Sequence, residues 1–144
     1  MTDKQKQFDR RYLEMAAIWA KNSYCIRRRV GALIVKDKII ISDGYNGTPS
    51  GFENKCEDES GATRPYVLHA EANAITKVAR SNNSSDGATL YITSSPCIEC
   101  AKLIIQSGIK RVVYSEHYHT NDGILLLEKA GIETVFMEIN DNDK

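Results

Sequence analysis

Two short stretches constrain this chain more than anything else in it: His69-Ala70-Glu71 and Pro96-Cys97-Ile98-Glu99-Cys100. Taken singly, each is ordinary. A Cys-x-x-Cys is as readily a redox pair or half of a structural zinc site, and a histidine before a helix is usually a satisfied polar residue. Together they supply one imidazole and two thiolates, three ligands of the type zinc prefers. The fourth tetrahedral position is then open to water, which is the pattern of catalytic rather than structural sites. The fold must therefore bring the two stretches to one point.

Local sequence shows how. "AEANAITKVARS" is rich in strong helix formers, so His69 stands just before a helix. "PCIECAKLIIQSG" has proline at the start and Gly108 past the end of a second helix, which puts Cys97 and Cys100 in its first turn. The partial positive charge of a helix N-terminus lowers thiol pKa and favours the anionic ligands zinc requires. Glu71 adds a carboxylate near the metal but not on it, where a metal-activated water needs a proton acceptor. A first-turn glutamate can serve the helix dipole alone, but a three-ligand zinc site beside it favours the catalytic role.

The rest of the chain reads as α/β, expected to form one domain over residues 1–144. Phe8, Tyr12, Met15, Ala16 and Trp19 recur at helical spacing and predict an opening amphipathic helix. "VGALIV" and "IIIS" flank Lys36-Asp37-Lys38 as an antiparallel hairpin. Residues 43–68 read as one long loop, of the kind that usually carries function. Strands at "ATLYITS", "RVVYS" and "IETVFMEI" then alternate with helices, the last of them "DGILLLEKAG", which argues for parallel neighbours. The tail "NDNDK" is expected to fray.

Formal net charge is zero, with 19 basic and 19 acidic residues, and the only compact basic cluster is Arg27-Arg28-Arg29. A groove for a polynucleotide is not advertised, so no nucleic-acid partner is expected. No window is apolar enough to cross a bilayer, and no membrane partner is expected either. "MTDKQKQFDRR" lacks the apolar core of a signal peptide, so the cytoplasm is the expected compartment. The four cysteines are then expected to be reduced. Cys25 and Cys56 read as buried free thiols acting as small apolar residues, with a partial second metal site as the alternative.

H-x-E followed by P-C-x-x-C marks the zinc nucleobase deaminases. The chain resembles the cytidine deaminase superfamily and, through "GYNGTPSGFENKC", "HAEANAI", "PCIECAKLIIQSGIKRVVY" and "KAGIE", its deoxycytidylate (dCMP) deaminases. The resemblance covers roughly residues 10–136. It implies a three-layer α/β/α fold around a mixed five-stranded sheet, with both ligand-bearing helices on one face. It also implies hydrolysis of dCMP to dUMP and ammonia, a supply of dUMP for thymidylate synthesis. One zinc would be held by His69, Cys97 and Cys100, with Glu71 carrying protons to N3 and to the departing amine. Asn46 would meet the deoxyribose, the Ala70 backbone the pyrimidine oxygen, and Tyr118 would line the nucleotide site.

The family is commonly hexameric and controlled by dCTP and dTTP. A homo-oligomer is accordingly expected, with regulatory contacts, including Mg2+ with the nucleotide, around Gly44, Tyr45 and Gly47. Some phage relatives hold a second zinc on cysteines matching Cys25 and Cys56, completed by an insertion before "HAE". That insertion is absent here, and Val67 stands where its glutamate would be.

For the 5′-phosphate, the candidates are Arg27, Arg28 and Arg29. Arg80 lies about 13 Å along the helix from Glu71, which suits a regulatory or interface contact better. Rival readings are a tRNA adenosine deaminase or a single-stranded DNA cytosine deaminase, both disfavoured by the zero charge. A non-catalytic zinc module would leave Glu71 and the open ligand position unexplained.

Overall fold

The computed structural model describes residues 1–139; the "NDNDK" tail lies outside the described residues. In chain order the elements are α1 (Asp3–Trp19), β1 (Gly31–Lys36), β2 (Ile39–Tyr45), α2 (Ala70–Ala79), β3 (Thr89–Ile92), α3 (Ile98–Gln106), β4 (Arg111–Tyr114), α4 (Asp122–Lys129) and β5 (Glu133–Phe136). The five strands form one sheet in the order β2-β1-β3-β4-β5. β1 runs antiparallel to both β2 and β3, whereas β3, β4 and β5 are parallel. The mixed five-stranded α/β fold expected from the sequence is the one observed.

The hairpin closes through Asp37 and Lys38, both with positive φ, as a two-residue turn matching the right-handed strand twist requires. Strand alternation then divides the core in two. Ala32, Ile34, Leu90, Ile92 and Val112 face α2, α3 and α4, and bury Ala74, Val78, Ala101, Ile104 and Leu127 with them. Leu33, Val35, Tyr91 and Val113 face the other way, onto Leu13 and Ala16 of α1. Both helices that carry the two motifs therefore share one layer.

Three expectations need correcting. The face of α1 that meets the sheet is centred on Asp9, Leu13 and Ala16, while Met15 and Trp19 remain 44% and 38% exposed. Asp9 is buried because Arg111 of β4 reaches it with two guanidinium nitrogens, at 2.8 and 2.6 Å. Tyr91 Oη–H and Gln5 Nε2–H also donate to Asp9, at 2.6 and 2.9 Å. Arg111 donates its Nε–H to Glu133 as well.

The second correction concerns Cys25 and Cys56. They are buried, as expected, but they are joined as a disulfide rather than free. The β1–β2 hairpin returns the chain on itself and sets their Cα atoms 5.2 Å apart, inside the range a disulfide spans. β5 is also shorter than "IETVFMEI" suggests, ending at Phe136 where its pairing with β4 stops.

Candidate active site

The site lies beyond the C-terminal ends of β3 and β4, where open α/β sheets place ligands. β1 begins and β2 ends at the same edge, so both motifs, the loop after β2 and the arginine run meet there. Gly44 makes the close approach possible. A methyl on its Cα would fall 2.4 Å from the Ala70 carbonyl, so only glycine lets α2 settle onto β2. Ser42 Oγ–H donates to the Ala74 carbonyl at 2.7 Å and Asn73 Nδ2–H to the Tyr45 carbonyl at 2.8 Å, locking that contact.

His69 is the N-cap residue of α2 and Cys97 that of α3, with Cys97 Sγ accepting from the Cys100 N–H. His69 Nδ1 lies 3.5 Å from Cys97 Sγ and 3.3 Å from Cys100 Sγ. The three ligand atoms all fall within 4.8 Å of one another. Gly123 of α4 supports the arrangement from behind. A methyl there would sit 2.0 Å from the Pro96 carbonyl oxygen and 2.9 Å from that of Cys97.

The two thiols are displaced in opposite directions. The Cys97 thiol is held down at about 3, chiefly by its hydrogen bond with Cys100 and then by His69. Cys100 is pushed up, by the Cys97 sulfur first and then by burial. One thiol therefore ionises readily and the other resists, a resistance that a bound metal reverses. Burial pushes the Glu71 carboxyl up to about 7, and only 3% of Glu71 is exposed.

A cavity of about 320 Å³ opens over these groups, at the small end of small-molecule sites. Asn46, Ala70 and Tyr118 all line it, and so do Arg27 and Arg28. Asn46 is fixed on both sides of its amide. Oδ1 accepts from the Val30 N–H and Nδ2–H donates to the Arg28 carbonyl, each at 2.8 Å. Arg28 donates to Ser94 Oγ at 2.7 Å, pairs with Glu116 at 3.7 Å and lies 5.4 Å over the Tyr118 ring.

The remaining candidates are not brought to the cavity. Arg29 turns back, its Nε–H donating to the Cys25 carbonyl at 3.1 Å. Gly47 packs on the Tyr24 ring, the Tyr45 carbonyl is occupied by Asn73, and Arg80 caps the far end of α2. Ser94, Ser95, His119 and Glu57 line the cavity without having been singled out from sequence. Ser94 and Ser95 had a signal, since they abut the Pro96 that starts the α3 motif. Glu57 had none, as one acid in an acidic loop.

Residues 6–116 match the family model described as the cytidine and deoxycytidylate deaminase zinc-binding region. The chain belongs to that family. It is 37% identical to the deoxycytidylate deaminase of Enterobacteria phage T4, over 84% of this chain and 85% of that one. It is 38% identical to the human deoxycytidylate deaminase, over 84% of this chain and 74% of that one. Among solved structures, it superposes on the dCMP deaminase of cyanophage S-TIM5 in complex with dCMP and dUMP. The TM-score is 0.89 at 45% identity, covering 95% of this chain and 99% of that one.

Proposed function

We propose that this chain deaminates dCMP hydrolytically to dUMP and ammonia. One observation carries the reading: a buried carboxylate, Glu71, stands beside three convergent zinc-type ligands in a cavity with two arginines on its wall. His69, Cys97 and Cys100 would hold the metal. When bound, zinc supplies the Lewis acidity that makes water a nucleophile at neutral pH.

The chain's own residues do the rest. As the water oxygen bonds to C4 of cytosine, Glu71 accepts a proton and delivers it to N3. A second proton passes through the same carboxylate to the exocyclic nitrogen, so the C4–N bond breaks with release of neutral ammonia. The place of Glu71 inside the cavity, next to the three ligands and off the metal, suits a group that must take and give protons in one cycle. The N–H groups of the first turn of α2, Ala70 among them, have no partner within the helix and would hold the pyrimidine oxygen. Asn46, with its amide already fixed, faces the deoxyribose, and Tyr118 forms a wall.

Arg27 and Arg28 would read the 5′-phosphate through charge-assisted hydrogen bonds. Arg28 is the better organised, held by Ser94, Glu116 and Tyr118 before substrate arrives. Association of copies, as a hexamer, is what the family resemblance suggests. An ammonia-release assay across dCMP, CMP, deoxycytidine and dCTP tests the reading. A dCMP preference is expected, and equal kcat/KM for deoxycytidine overturns the phosphate assignment.

A further inference from the structure

We propose that Glu57 is a positioning residue for the phosphate, acting through the backbone of the Arg27–Arg28 segment. The inference rests on the reading that this segment meets the phosphate. Residues 23–30 belong to no helix or strand, so no regular ladder fixes them and their N–H groups need other partners. The Ile26 and Arg27 N–H groups both donate to the same oxygen, Glu57 Oε2, at 3.0 and 3.1 Å. The residue before them, Cys25, is bonded to the residue before Glu57, Cys56. Asn46 holds the other end at the Arg28 carbonyl and the Val30 N–H. Of these ties, only that to Glu57 is a charged one.

The mount under Glu57 is itself closed. Residues 57 and 63 pair as an isolated bridge, and the Arg64 N–H donates to the Cys56 carbonyl at 2.7 Å. Asp58 Oδ1 gathers the Ser60 hydroxyl and the Ser60 and Ala62 N–H groups. An acid on the wall of a cavity that takes a phosphate needs a reason to be there, since like charge disfavours binding. Successive backbone N–H groups converging on one oxygen make an anion seat, and Glu57 fills it from within. The incoming phosphate is thereby left to the guanidinium groups, whose backbone is held still.

The test is steady-state kinetics of wild type, Glu57→Ala and Glu57→Gln on dCMP and deoxycytidine, with zinc content measured alongside. Glu57→Ala is expected to raise KM for dCMP about tenfold, as loss of charge-assisted bonds predicts. Its kcat, and its kcat/KM for deoxycytidine, stay close to wild type. Glu57→Gln keeps a carbonyl oxygen as acceptor and restores most of the loss. Should the alanine variant fail to fold, Glu57→Asp carries the same test: one methylene shorter, it loses reach and raises KM for dCMP alone.

An equal loss on both substrates overturns the role in favour of plain loop support, and an unchanged KM for dCMP overturns it outright. A drop from two zinc ions per chain to one in both the alanine and glutamine variants overturns it in favour of a metal site with Cys25 and Cys56. Wild type that does not distinguish dCMP from deoxycytidine removes the phosphate reading and this inference with it. A selective wild type with equally selective variants removes only the role of Glu57.

Discussion

Asp9 and Glu71 are both buried carboxylates, one at each end of the molecule, and they are displaced in opposite directions. Burial acts on both by raising the pKa. At Asp9 that effect is outweighed by hydrogen bonds from Arg111, Tyr91 and Gln5 and by the Arg111 charge, so the carboxyl lies below its ordinary value. At Glu71 the backbone and His69 offset only part of it, and the carboxyl rises to about 7. The partners decide the outcome. A buried acid clamped by a guanidinium serves the fold, and one that lines the cavity beside the cluster of metal-type ligands is available for proton transfer.

The comparison breaks first at Glu71. Glu71→Gln is expected to lower kcat by roughly 10²–10⁴-fold while zinc content and melting temperature hold near wild type. Ammonia release, metal analysis and a thermal melt on one preparation check this, and a variant within a few-fold of wild type would remove the proton-carrier role.

Asp9→Asn should show the reverse pattern. Removing one partner of a buried pair costs about 3–5 kcal/mol, read by denaturant unfolding, with kcat of the folded fraction unchanged. Its pH dependence follows from the direction of the shift. A carboxyl held low in the fold contributes stability above its unfolded value of 3.8, and loses it as pH falls through the folded value. Wild type should therefore lose stability in acid below pH 3.8 more steeply than Asp9→Asn does.

The disulfide sharpens the contrast, because it borders the active-site end yet serves the fold. Its 31-residue separation implies that Cys25→Ser costs about 3–4 kcal/mol on the chain-entropy model, measured by thermal melting. The smallest effect is expected at Asp43, a half-exposed carboxylate bonded to Lys77 at 2.7 Å and to Trp19 at 3.0 Å. Lys77→Ala should cost about 0–1 kcal/mol, and a larger loss in a melt would show that exposure does not govern these pairs.

How far the sequence reveals this follows from what each residue needs. The convergence of His69, Cys97 and Cys100 could be read because metal ligation demands particular residue types, and helix signals place them. The hairpin and the parallel half were legible because strands and helices carry their own periods. Asp9 was not, since an acid on an amphipathic helix looks like solvent face until Arg111, far along the chain, is seen beside it. The Cys25–Cys56 bond was hidden for the same reason, as a long-range pairing with no local mark. The arginine run was legible as a cluster, but only the turn of the backbone separates Arg27 and Arg28, on the cavity wall, from Arg29, directed away.

Gly123 belongs to neither motif, yet its Cα lies so close to the Pro96 and Cys97 carbonyls that even a single methyl has no room. Any missense change there pushes α4 against the very peptide that carries a ligand. A gene could thus keep every letter of both motifs and still encode a dead enzyme. Screening natural variants or metagenomic reads by the motif alone would count such a copy as active, and a reliable census must read residue 123 as well.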